Sequence, residues 1–440
     1  MSAATGEPVP LRRNRDFQLL WSGQAVSTLG SQTSRIAYPL LVLAMTGSPA
    51  KAGIAGFAAM LGYLLFPLPA GALADRHDRK RIMIACDAIR LAAIGSIAVA
   101  FWAAHLTYLQ ILLAGFAEGS ATIFFNLAER SALPLLVHPS QRPTAISQNE
   151  ARTNVAQLAG PALGGALFGL SRAAPFAADA LSYLASLVTL PFIRTPMQTG
   201  RGSPPEAPRA ARRNLRAELR EGLAFTWQQP FLRYASIFGA AVNLLLQVVV
   251  LGLIVLSRHD GASPAETGLI VGCFGVGGLA GALVAPWFQR KIPAGLTITG
   301  CMWIWAVLLA LIAIVHAVLW LYPVVVVIGF VGPAWNVSAQ TFRMQITPNE
   351  LMGRTSSVSL QVAWGVIPLG SLLAGFLLQV LSPRTAMAVV AAGMGVTAIA
   401  ATALAPVRNA GRQTPGASGQ TGPAGPASPA GPAAAAQPAG

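Results

Sequence analysis

Gly71-Ala72-Leu73-Ala74-Asp75-Arg76-His77-Asp78-Arg79-Lys80-Arg81 lies between two long apolar runs. Neither residues 52 to 74 nor residues 91 to 117 contain Asp, Glu, Lys or Arg, so these eleven positions concentrate four bases and two acids. A hydrocarbon core about 30 Å thick takes about 20 apolar residues per helix. The stretch therefore reads as a water-facing turn between two consecutive membrane-spanning helices.

Outward from that turn the pattern repeats. The 440-residue chain is 54% hydrophobic and only 10% charged, too apolar for a set of soluble domains. Twelve runs have spanning length: 17–44, 51–74, 82–104, 106–128, 145–171, 174–193, 233–257, 265–288, 294–316, 318–340, 352–380 and 383–405. The expected fold class is an all-α membrane protein, with twelve transmembrane helices in two pseudo-symmetric six-helix bundles. These spans leave no room for a separate catalytic domain.

The formal charge of +15 is explained by topology rather than by a nucleic-acid partner, because basic residues bias loops to the cytoplasmic side. With both termini inside, twenty-two Lys and Arg fall in inside segments, seven of them from Arg194 to Arg220. Only Lys51, Arg172, Arg258 and Arg384 fall outside. The expected location is the cell membrane, multi-pass, with both termini cytoplasmic. Cys86, Cys273 and Cys301 all lie in apolar runs without metal-ligand spacing, and no metal site is expected. The first apolar run lacks a cleavage site and is expected to stay as the first helix.

Residues 1–16 form a polar lead and 17–193 the first bundle. Residues 194–232 form a hydrophilic linker, 233–405 the second bundle and 406–440 a Gly/Pro/Ala tail expected to be disordered. Within the linker, Leu215, Leu219, Leu223 and Phe225 recur near helical spacing opposite charged residues, which predicts an amphipathic interfacial helix. The halves echo one another: Gly160-Pro161-Ala162-Leu163-Gly164-Gly165 matches Pro368-Leu369-Gly370 through Gly375, and Gly71-Ala72-Leu73 matches Gly281-Ala282-Leu283. Duplicated six-helix halves are a transporter signature.

On these residues the chain resembles the major facilitator superfamily over about 14–405. The turn is similar to that family's loop between helices two and three, Gly-x-Leu-Ala-Asp-Arg-x-Gly-Arg-Lys-Arg, matching at Gly71, Leu73, Ala74, Asp75, Arg76, Arg79, Lys80 and Arg81. Asp78 stands where the family has glycine, and no role for it follows from the sequence. The second-half echo has Ala285 in place of the acid. The resemblance implies a conformational latch in which Asp75 accepts hydrogen bonds from the start of the eleventh span, near Met352 to Ser356, and from Arg130. The plainer alternative is that these charges only set topology. Gly160, Pro161, Gly164 and Gly165 resemble an exporter motif of the fifth helix, with Ala156 replacing its first glycine. Asn14-Arg15-Asp16-Phe17 and Gly115-Phe116-Ala117-Glu118-Gly119 resemble the branch containing macrolide efflux proteins and the enterobactin exporter.

Ionisable groups at bilayer depth are costly and therefore candidates for function. They are Arg35, Asp87, Arg90, Glu118, Glu150, Arg152 and Asp179, all in the first half. Glu118, Asp179 and Arg35 are the proton-coupling candidates. Glu118 lies near mid-span without a basic partner one turn away; either it exchanges a proton for a cationic substrate or it forms a structural ion pair with Arg35. Asp179, five residues into its span, is a weaker candidate and could anchor at the outer interface. Asp87 and Arg90, three apart, are read as a local pair. The proton-coupled exporters of the superfamily commonly carry an arginine where this chain has Ile111, which bears on coupling rather than on fold. If the central cavity follows the family, Gln24, Ser27, Gln32, Tyr38, Asn126, Asn243, Gln247, Trp335, Asn336 and Gln340 face substrate; each is equally suited to helix contacts.

The expectation is a secondary active transporter that exports a small amphipathic organic molecule, a drug-like compound or secondary metabolite, by alternating access and proton antiport. It would work as a monomer in lipid, with no cofactor beyond the proton gradient. The alternatives are a siderophore or other metabolite exporter, an importer, or a non-transporting scaffold or receptor. No Ser/His/Asp order, metal cluster or phosphate loop indicates an enzyme, and the five histidines are scattered.

Overall fold

The computed structural model describes residues 9–198 and 215–411, without the side chains of 68, 72, 75, 76, 215–219, 349, 350, 353, 354, 357 and 360. The described residues form helices joined by turns, with no strand among them. The first half comprises α1 (Arg15–Thr46), α2 (Pro49–Leu65), α3 (Pro67–Arg76), α4 (Arg79–Trp102), α5 (Tyr108–Leu136), α6 (Arg142–Leu170) and α7 (Ala174–Thr189). After α8 (Leu215–Gln228), which covers the segment expected to be amphipathic, come α9 (Pro230–His259), α10 (Pro264–Lys291), α11 (Ala294–Ile314) and α12 (Leu321–Ile346). The described residues end with α13 (Asn349–Gly365), α14 (Ile367–Val380), α15 (Pro383–Ala403) and the short α16 (Ala405–Arg408). α16 and the buried Val407 and Ala410 correct the expectation of disorder from residue 406 onward, and the tail beyond 411 lies outside the described residues.

Local chemistry sets these boundaries. Asn14, Ser48, Thr107, Ser263 and Ser382 each cap a helix start by accepting a backbone N–H. Gly47 ends α1 at φ 64°, where a side chain would be strained. New helices begin directly after Phe66 and Val366, with Pro67 and Pro368 in their first turns. Asp78 is the N-cap of α4, its carboxylate accepting from the Lys80 amide at 2.9 Å. A cap is what the family's glycine at this position cannot supply as well, and it gives Asp78 a role that spacing alone did not show.

Nine helical stretches among the described residues are long and apolar enough to cross a membrane. The first, second and fifth of the expected runs fall short of that measure, for local reasons. α1 carries polar residues along its length, including Gln24, Thr28, Ser31 and Arg35. α2 has 17 residues before Pro67 breaks it. α6 opens on polar turns containing Gln148, Asn149, Glu150, Arg152, Thr153 and Asn154.

Within the first half, α1 packs on α6 and α7, α4 on α5 and α7, and α2 on α5. Within the second, α12 packs on α10 and α11, and α15 on α9 and α11. The halves meet along two seams, α6 against α10 and α2 against α14. Both involve close backbone approach at glycine, which lets helices pack where lipid offers no hydrophobic drive. A Cβ on Gly268 would lie 2.3 Å from the Pro161 carbonyl oxygen, and one on Gly165 would lie 2.3 Å from that of Pro264. In the other seam a Cβ on Gly53 would lie 2.5 Å from the Ser371 carbonyl oxygen and 2.7 Å from the Gly375 Cα. These contacts join the start of α2 to the end of α14, and the later part of α6 to the start of α10. Both seams therefore close the end of the molecule opposite the start of α1.

At the α1 end, the chain leaving α7 is strapped to the first half. Asp16 accepts from the Thr195 amide at 2.8 Å, the Thr195 hydroxyl at 2.5 Å and the Arg194 amide at 3.2 Å. Burial pushes this carboxyl up, but the bonds from Thr195 and Arg194 and the nearby Arg15 outweigh it and hold Asp16 below its ordinary range.

Candidate functional site

The interior polar groups of the first half form linked clusters between α1, α4, α5 and α7. Nearest the α1 start, Arg90 pairs with Asp87 at 3.1 Å, both buried. The other Asp87 oxygen accepts from Ser186 at 2.6 Å, and Ser186 accepts from Gln24 at 2.7 Å. The Arg90 guanidinium lies over the Phe125 ring at 4.3 Å and the Tyr183 ring at 5.3 Å, contacts that favour a desolvated cation. Asp87 and Arg90 thus form the local pair expected from their spacing. Gln24, a cavity candidate, is 4% exposed and donates to Ser186.

Tyr183 leads to the next cluster. Its hydroxyl donates to Glu118 Oε1 at 3.0 Å and hydrogen-bonds Ser31 at 2.9 Å, while the Thr122 hydroxyl, whose shorter bond is to the Glu118 backbone carbonyl at 2.9 Å, lies 3.2 Å from the same carboxylate oxygen. Glu118 is half-buried. The expected alternative, a Glu118–Arg35 ion pair, is not formed: Arg35 is exposed and makes no hydrogen bond or ion pair with a described residue. The carboxylate is instead satisfied by hydroxyls from α5 and α7.

Asp179 is fully buried against α1 rather than anchored at an interface. Ser34 donates to its Oδ2 at 2.5 Å, and Ser182, whose hydroxyl donates to the Asp179 backbone carbonyl at 2.7 Å, lies 3.3 Å from its Oδ1. Asp179, Ser182, Tyr183 and Ser186 fall at i, i+3, i+4 and i+7, one face of α7. That polar stripe in an apolar span was the signal for Ser182, Tyr183 and Ser186, which inspection of charges alone passes over. Glu129, paired with Arg152 at 3.0 Å between α5 and α6, was missed as well, because the partners are 23 residues apart in sequence.

The remaining candidates divide. Asn243 donates to the Ala363 carbonyl at 2.9 Å, tying α9 to α13. Gln247 donates to Ser371 at 3.1 Å and contacts the Met60 sulfur of the first half at 3.7 Å. Tyr38 is buried edge-on to Phe176 at 5.3 Å, with its hydroxyl unbonded among the described residues. Trp335 packs near Gly239, and its buried indole N–H also lacks a partner. Gln32 and Asn126 are half-buried, and Asn336 and Gln340 are exposed on α12.

In the exporter-like motif, Gly160 and Gly164 admit α1: their Cβ atoms would meet Gln32 Cβ at 2.2 Å and the Thr33 carbonyl oxygen at 2.4 Å. Gly165 and the Pro161 carbonyl instead face α10. The motif therefore holds α6 against its own bundle on one side and the other half on the opposite side.

Around the opening turn, Arg79 is buried and donates to the Met197 carbonyl at 2.9 Å, and Lys80 donates to the carbonyls of Pro191 and Ile193 at 2.8 and 2.9 Å. They clamp the chain leaving α7, beyond any contribution to topology. Gly71 faces open space, and Arg130 is exposed. The side chains of Asp75 and Arg76, and so the expected contact of Asp75 with the eleventh span, lie outside the described residues. α3 itself packs on α5, while α13 packs on α8 and α9.

A family model described as transmembrane secretion effector matches residues 5–418. The chain is 26% identical over 365 residues to macrolide efflux protein A of Streptococcus pyogenes, covering 81% of this chain and 88% of that protein. It is 26% identical over 364 residues to the multidrug efflux pump Tap of Mycobacterium tuberculosis, covering 80% and 84%. Among solved structures, the nucleoside transporter NupG superposes with TM-score 0.69 at 14% identity, covering 88% of this chain and 98% of that one. A bacterial homologue of the iron transporter ferroportin in an inward-facing state superposes with TM-score 0.68 at 16% identity, covering 90% and 100%.

Proposed function

We propose, from the premise that this chain belongs to the transmembrane secretion effector family of the major facilitator superfamily, that it exports small amphipathic organic molecules across the cell membrane in exchange for protons. The molecule has twelve spans in two bundles, with both termini cytoplasmic, as the asymmetry of its basic loops supports. It works as a monomer. The glycine seams close the outer end, which corresponds to the inward-facing member of an alternating-access cycle. Transport of drug-like compounds is supported by the likeness to macrolide and multidrug efflux proteins.

The observation that carries coupling is the state of Glu118. It is a mid-span carboxylate, half-buried, accepting from the Tyr183 hydroxyl with the Thr122 hydroxyl alongside, and without a bonded cation among the described residues. Such a group is suited to hold a proton in one state and a basic substrate in another. In inverted vesicles, an imposed pH gradient should drive accumulation of a basic amphipath, and its collapse should stop it. A scaffold or receptor would show no substrate movement at all.

A further inference from the structure

We propose that Arg35 binds an acceptor or anionic group of the transported molecule, so that the cavity selects amphipaths carrying a carboxylate or carbonyl as well as a basic nitrogen. This rests on the export reading of the Glu118 site and names the substrate class that the site takes.

Gln24, Thr28, Ser31 and Arg35 fall at i, i+4, i+7 and i+11, one stripe along α1. The first three are satisfied inside the first half: Gln24 by Ser186, Thr28 by the Gln24 carbonyl at 2.6 Å, and Ser31 by Tyr183. Arg35 is the member left open. It sits one turn beyond Ser31, on the side of α1 that meets Tyr183, whose hydroxyl is bonded to Glu118. The other faces of α1 at this level are occupied, Thr33 and Ile36 by α6 and Ser34 and Tyr38 by α7. Arg35 therefore leaves α1 on the face of this polar stripe, where it is exposed.

Arg90 and Arg152, the other interior arginines of this half, are buried and paired with Asp87 and Glu129. Arg35 has neither an acid nor a carbonyl among the described residues, although an arginine offers five donors in a fork matched to carboxylates. Glu118 is held elsewhere by Tyr183 and Thr122, so the site presents a cation and an anion that do not neutralise each other directly. A ligand bearing both complementary charges answers that arrangement; a lipophilic cation uses only half of it.

The test compares the zwitterionic quinolone norfloxacin with tetraphenylphosphonium, a cation without acceptor oxygens, in wild type, Arg35→Ala, Arg35→Lys and Glu118→Gln. Binding to purified protein is measured by tryptophan quenching, transport is measured in proteoliposomes, and an unchanged gel-filtration profile controls for folding. Arg35→Ala should weaken norfloxacin binding about tenfold or more, the loss expected for one charge-assisted bond, and tetraphenylphosphonium binding less than about twofold. Arg35→Lys should recover part of the loss, as a point charge without the fork. Equal losses for both compounds, no loss for either, or no norfloxacin binding by wild type would overturn the assignment. Arg35-dependent binding by a protein that moves neither compound would leave it standing and sink the export reading instead.

Discussion

The Tyr183 hydroxyl donates to Glu118 at 3.0 Å and hydrogen-bonds Ser31 at 2.9 Å, so one phenol joins α7 to both α5 and α1. Beneath the same ring lies Arg90, itself paired with Asp87. Movement of α1 or α5 relative to α7 must therefore break or remake a bond to the carboxylate proposed to carry the proton, which couples helix position to the state of Glu118.

Removing the phenol oxygen tests that coupling. Tyr183→Phe keeps the ring over Arg90 and deletes the bonds to Glu118 and Ser31. Proton-driven transport should fall about five- to tenfold, consistent with the loss of a hydrogen bond to a charged group, while thermal stability in detergent changes little. An unaltered rate would show that Tyr183 only fills space.

The seams predict a conformational bias. Gly268→Ala places a methyl 2.3 Å from the Pro161 carbonyl oxygen, a backbone clash worth about 1–3 kcal/mol in the outer-closed state. In a background lacking the native cysteines, a cysteine at Gln247 should then react faster with a membrane-impermeant thiol reagent from outside. Unchanged labelling would mean that the seam is not the outer closure.

Asp78 predicts a graded response. Asp78→Ala removes the cap of α4 and should cost about 1 kcal/mol, whereas Asp78→Gly, the family's residue, should cost only a few tenths. Comparable denaturation midpoints for the two variants would contradict the capping role.

Asp16 predicts a pH dependence. Its carboxyl is held below the ordinary range, so its contribution is present above the unfolded value near 3.9 and lost as pH falls through the lower folded value. The group is half-buried, and solvent screening limits the contribution to under about 1 kcal/mol. Asp16→Asn should lower the melting temperature at pH 7 and converge with wild type near pH 3. A constant difference across that range would exclude ionisation of Asp16 as the source.

How much of this was legible in the sequence depended on whether a feature is local. Apolar runs, the helix at 215–228 and the Asp87–Arg90 pair follow from spacing along one chain segment. The partner of Glu118 did not, because Tyr183 is 65 residues away and is drawn in by the packing of α5 against α7's neighbours rather than by any periodicity. Charge matching suggested Arg35, but the hydroxyls of Tyr183 and Thr122 satisfy the carboxylate first. Arg79 and Lys80 looked like topology signals because their acceptors are backbone carbonyls, which carry no sequence signature.

The central measurement is proton-driven uptake of a basic amphipath by inverted vesicles containing wild type or Glu118→Gln, at matched expression. Wild-type vesicles should accumulate substrate when the gradient is imposed and stop when it is collapsed, and Glu118→Gln vesicles should not respond to the gradient. Gradient-dependent accumulation by Glu118→Gln at the wild-type rate would contradict the role of Glu118 and place proton coupling elsewhere in the chain.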